Sequence, residues 1–163
     1  GQHAAGNTNY IAGSVFGTSF HNWALFAIPA TATPYTSATL RLFNNDYDSP
    51  DATETYEVYD YNGSLTDLVA ENGSGNGVAI YGDLGSGTLF GSATVSSADD
   101  GQFVEISLNS SALSAINAAA GNPFALGGQV STLNGDEDFE FIFGFSELEE
   151  GDVQLVLTGG TSI

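Results

Sequence analysis

Carboxylates are the residues of this sequence best placed to do chemistry, and they come in clusters. Asp46, Asp48 and Asp51 lie in NNDYDSPD, Asp99 and Asp100 in SADDG, Asp136, Glu137, Asp138 and Glu140 in NGDEDFE, and Glu147, Glu149, Glu150 and Asp152 in SELEEGD. Calcium takes about six to eight oxygen ligands, and alternate carboxylates on a tight turn can converge on one ion while backbone carbonyls complete the shell. Asp46, Asp48 and Asp51 are the first candidate metal ligands, Asp136 and Asp138 the second. Glu147 to Asp152 read more simply as a solubilising surface. None of these runs follows the EF-hand pattern, so a solvated acidic turn stands beside the calcium reading for each.

Aromatic side chains offer a second chemistry. Tyr59 and Tyr61 fall on one face of a strand pattern and, with Trp23, are candidates for a platform on which a sugar ring stacks; Tyr47 and Tyr81 could join them, and core packing is the ordinary alternative. Other routes are thin. His3 and His21 are the only imidazoles, no G-x-S-x-G elbow occurs, and the chain has no cysteine. That removes thiol nucleophiles, disulfides, iron–sulfur clusters and zinc fingers. His21, beside Trp23 in a strand pattern, reads as structural. Two carboxylates would suffice for a glycosidase, but spacing in sequence does not report their separation in space. The chain reads as a non-enzyme.

The elements that must carry these residues are strands. Short runs rich in Val, Ile, Thr, Tyr and Phe alternate with period two between Gly/Asn/Asp/Ser clusters. Strands are expected at 9–13, 19–28, 37–43, 53–61, 78–81, 89–95, 103–108, 124–130, 139–145 and 153–158. In the third, Ala38, Leu40 and Leu42 oppose Thr39, Arg41 and Phe43; in the fourth, Tyr56 and Val58 oppose Thr55, Glu57, Tyr59 and Tyr61. Ser64 and Ser110 read as caps of two short helices, the second stopped by Gly121. About ten short strands with one or two short helices predict an all-β sandwich or jelly roll, and one domain over 1–163.

Charge and composition bound the partners. Twenty acidic residues stand against Arg41 and no lysine, a formal net charge of −19. Nucleic acid is excluded, because phosphate binding needs clustered basic residues. Hydrophobic residues make up 42%, enough for a core that requires neither metal nor disulfide; calcium is the only cofactor the residues suggest. No run approaches the roughly 18 apolar residues of a membrane span. The segment 1–16 carries Tyr10, Ile11, Val15 and Phe16 among small residues. It is expected either as an intramolecular first strand or as an arm exchanged with a neighbouring copy, those four residues making the contact.

Several strings together resemble a known family. GNTNYIAG, HNWALFAI, TSATLRLFN, SPDATETYEVYD, the long run VAIYGDLGSGTLFGSATVSSADDGQFVEISLNSSALSAINAAAGNPFALGG and the closing VQLVLT are similar to bacterial secreted proteins that commonly carry a PEP-CTERM tail sorted by an exosortase. A topology-level likeness to DNRLRE-type surface jelly rolls is weaker. Two departures stand out: no PEP tail is present, and Ala27 occupies a position expected to be acidic in the family. The resemblance implies a β-sandwich, export to the cell surface or extracellular matrix, and no particular reaction. The expected function is a self-assembling, non-enzymatic matrix or surface protein whose packing is promoted by cations. The alternative is a calcium-dependent carbohydrate-binding module with a polysaccharide partner.

Overall fold

The computed structural model describes residues 9–70, 75–135, 137–144 and 149–162. Its strands are β1 (Ala12–Val15), β2 (Thr18–Phe20), β3 (Asn22–Ala27), β4 (Tyr35–Asn44), β5 (Glu54–Asp60), β6 (Leu89–Val95), β7 (Gln102–Ser107), β8 (Pro123–Val130), β9 (Phe139–Ile142) and β10 (Val153–Gly159). Helices α1 (Leu65–Val69) and α2 (Gly77–Leu84) separate β5 from β6, and α3 (Ser110–Ala118) separates β7 from β8. All strand pairs are antiparallel. They form a four-stranded sheet β3-β8-β5-β6, a three-stranded sheet β10-β4-β7 and a smaller sheet β2-β1-β9. The protein is an all-β sandwich.

Period-two patterning is what joins the layers, because each sheet turns one dry face to the other. Leu40 and Leu42 of β4 and Val104 and Ile106 of β7 meet Tyr56 and Val58 of β5 and Leu126 and Val130 of β8 in one buried cluster. Ala12 of β1 and Ile142 of β9 join that cluster and tie the small sheet to the sandwich. Tyr56 is wholly buried, and its hydroxyl donates to the Asn22 side chain at 2.7 Å. Burial holds its phenol well above the usual tyrosine range.

Two expectations for the elements are corrected. The run at 78–81 lies not in a strand but in α2, where Ile80 and Leu84, one helical turn apart, pack with Leu68 and Ala125 on the outer face of the four-stranded sheet. The long strand expected over 19–28 is broken at His21, which separates β2 from β3. There the imidazole stacks on the Tyr81 ring at 3.8 Å and its Nδ1 lies 2.7 Å from the Tyr81 carbonyl. The α1 cap falls on Ser64, whose hydroxyl accepts from the Asp67 N–H. The cap of α3 is Asn109, one residue before the serine expected, accepting from Ser111 and Ala112.

Candidate metal centre

The connection from β4 to β5 runs beside β9, pinned by backbone bonds in both directions between Asp48 and Phe141, and the connection from β8 to β9 is tied to it by the Asn134 side chain. This brings the carboxylates of Asp51, Glu54 and Glu140 together, with one oxygen from each lying within 4.8 Å of the others. Glu54 opens β5 on the same inward parity as Tyr56 and Val58, and Glu140 sits in β9; both are completely buried.

Each carboxylate is held by neutral donors. Glu54 accepts from the Ser49 hydroxyl at 2.6 Å and from the Thr132 hydroxyl. Glu140 accepts the backbone N–H groups of Asn134 at 3.1 Å and Gly135 at 2.8 Å, one on each oxygen. Asp51 accepts from the Asn134 side-chain amide at 2.9 Å, while its carbonyl receives the Tyr47 hydroxyl at 2.7 Å. A carboxylate offers about four lone-pair positions, so these bonds orient the groups without exhausting them. Among the described residues no basic side chain balances them: Arg41, the chain's one Arg or Lys, pairs with Glu105 at 2.8 Å and lies against the Phe103 ring on the opposite face of β4 from the core. The nearby Tyr47 phenol registers the negative field. Burial raises its pKa first, the Ser49 hydrogen bond offsets part of that, and the charges of Glu54 and Asp51 raise it further.

Of the metal ligands expected from sequence, the structure brings only Asp51 into this centre. Asp46 and Asp48 are exposed, and Asp48 contributes backbone rather than carboxylate. Asp138 is exposed, its carbonyl accepting from the Phe16 N–H, and Asp136 lies outside the described residues. Glu54 and Glu140 were missed. Their signal was a carboxylate on the same strand parity as residues destined for the core, Glu54 with Tyr56 and Val58 and Glu140 with Ile142.

The aromatic platform is divided. Trp23 and Tyr61 pack against the cluster of Leu68, Leu84 and Ala125 beneath α1 and α2. Tyr59 is half-buried and donates to Glu57 at 2.6 Å, a bond that raises its pKa ahead of burial. Tyr81 is stacked on His21. At the start of the chain, Tyr10 and Ile11 are buried in the protein's own interior, and the Tyr10 hydroxyl donates to the Phe43 carbonyl. Val15 pairs with Phe139 and Thr18 inside the small sheet, which leaves Phe16 exposed at its turn, edge-on to Phe139 at 4.8 Å.

Compared with family models, curated proteins and solved structures, the chain finds no match.

Proposed function

We propose that this chain is a non-enzymatic structural module of the cell surface or extracellular matrix, stabilised by a calcium ion among Asp51, Glu54 and Glu140, and that it associates with copies of itself. One observation carries the reading: three carboxylates converge, two of them fully buried, where no basic side chain among the described residues offsets their charge. Buried like charges repel strongly in a low dielectric, and a shared cation reverses the sign of that interaction. The donors are all oxygen, with no His or Cys among them, which suits a hard ion such as Ca²⁺ over zinc or copper. The resemblance to exosortase-sorted secreted proteins supports the location. A carbohydrate-binding module would share the ion, but packing of Trp23 and Tyr61 beneath α1 and α2 favours the structural role.

Thermal melting with calcium, with magnesium at equal ionic strength, and with a chelator tests the centre. Saturation to a hundred times Kd contributes about 2.7 kcal/mol, or a Tm gain of roughly 5–10 °C for a chain of this size. Glu140→Gln should abolish that gain; because it removes one repelling charge but also loses one of the two backbone N–H bonds that Glu140 accepts, the readout is the difference between calcium and chelator and not the absolute Tm. A melt indifferent to calcium and chelator overturns the proposal. Polysaccharide binding that is lost on Tyr59→Ala or Tyr61→Ala would replace the structural role with the carbohydrate-binding one.

A further inference from the structure

We infer that Asn134 is a modification site: its side-chain amide is lost through a cyclic imide, with Glu140 as the base, and the acid formed adds a fourth carboxylate to the cluster of Asp51, Glu54 and Glu140. The consequence for calcium rests on the reading proposed above, whereas the reaction itself needs no ion.

In an asparagine followed by glycine, the next backbone nitrogen reaches the side-chain amide most readily, because glycine has no side chain to block the approach. Four such pairs occur in the sequence, at 62–63, 72–73, 76–77 and 134–135. The second lies outside the described residues. Gly77 opens α2, so its backbone is committed to a helix. At Asn62 and Gly63 the two backbone N–H groups share one oxygen of Asp83, at 2.8 and 3.0 Å. Among the described pairs, only 134–135 has both its attacking nitrogen and its departing amide bonded to carboxylates. The Gly135 N–H donates to Glu140 Oε2 at 2.8 Å, and the Asn134 amide donates to Asp51 Oδ2 at 2.9 Å. Both residues are exposed, so water reaches the pair. Gly135 holds φ at +74°, the left-handed conformation that glycine adopts without strain in a turn.

The reaction consumes one water and releases one ammonia, with no oxidant or reductant. The Gly135 nitrogen bonds to the Asn134 side-chain carbon while Glu140 takes the proton from that nitrogen. The carbon–nitrogen bond of the side-chain amide then breaks. Its nitrogen leaves as ammonia, the third hydrogen being the proton that Glu140 took, handed over directly or through water. Water opens the cyclic imide at one carbonyl to give aspartate, or at the other to give isoaspartate, in which the backbone runs through the side-chain carbon. Either product carries a carboxylate.

A neutral donor to Asp51 thereby becomes a group that only accepts. Without a cation the added charge raises the repulsion in the cluster. With one it supplies a further oxygen, and the charge count of the ligands is among the factors that set calcium affinity. An ion held by Glu140 and Asp51 also occupies the base. The empty centre therefore modifies itself toward tighter binding, and the filled centre is protected.

The test holds the full chain at neutral pH for weeks, with calcium, with chelator or in urea, and maps the amides by peptide mass spectrometry. In chelator, residue 134 should gain the mass of an amide-to-acid exchange well ahead of residue 62; in urea the two should keep pace. Calcium should slow the gain at 134 about tenfold, and so should Glu140→Gln in chelator, less than a base usually contributes in an enzyme because hydroxide can replace it. Asn134→Asp, which supplies the product directly, should bind calcium about tenfold more tightly. An amide that survives at 134 in the folded wild type but is lost in urea overturns the inference, and this comparison needs no variant. Folded Glu140→Gln that loses the amide at the wild-type rate removes Glu140 as the base and overturns the inference as stated. Loss at 134 with melting indifferent to calcium removes the calcium reading and leaves the modification; calcium-dependent melting with the amide intact does the reverse.

Discussion

His21 carries a pH dependence that can be read at a single side chain. Burial disfavours its imidazolium and lowers its pKa from the usual value of about 6.5, while the Tyr81 carbonyl pulls partly the other way. As pH falls, the unfolded chain therefore takes up this proton before the folded one does. The stabilising contribution is complete above about pH 6.5 and is lost as pH falls below it, ending once the native ring also protonates. Urea midpoints at pH 7.5 and 5.5 should show a larger drop for the wild type than for His21→Gln, in a window above the main carboxylate titrations. Parallel drops would remove His21 from the account. The cluster of Asp51, Glu54 and Glu140 shows how far single residues were legible. Asp51 was readable as a candidate ligand because turn carboxylates advertise themselves. Glu54 and Glu140 were not, because each meets acids from a strand of another sheet and not its neighbours in sequence, and long-range contacts such as the bridge at Asp48 and Phe141 bring those segments together.

At the scale of elements, most of the fold was legible wherever one face is dry and the other wet. Alternation in β4 and β5 assigned Leu40, Leu42, Tyr56 and Val58 inward, as the structure has them. Reading failed at α2, since four consecutive residues of Val, Ala, Ile and Tyr satisfy a strand, and the helical spacing shows only when Leu84 is included. What seats this helix is the absence of a side chain beneath it: a Cβ on Gly127 of β8 would overlap the Leu84 backbone. Gly127→Ala should therefore cost about 1–3 kcal/mol, the usual range for overpacking. It should also red-shift the emission of Trp23, the only tryptophan, which packs in the cluster beneath the helix. Urea unfolding followed by fluorescence measures both, and wild-type stability with unshifted emission would mean that α2 does not depend on this contact.

For the whole molecule, a net charge of −19 makes a prediction about salt. If copies associate as proposed, the net charge of −19 acts as long-range repulsion between the bodies. Raising NaCl from 0.01 to 0.15 M shortens the screening length from about 30 to about 8 Å. Association should strengthen steeply over that range and then level off, because beyond it the two acidic bodies no longer sense one another. Calcium at matched ionic strength should add little to association beyond its effect on Tm, since two of its three proposed ligands, Glu54 and Glu140, are buried inside the fold. Sedimentation across the salt series measures this directly. Association that weakens as salt rises would mean that opposite charges hold the copies together. The face involved would then have to include Arg41, the one formally basic side chain the protein possesses.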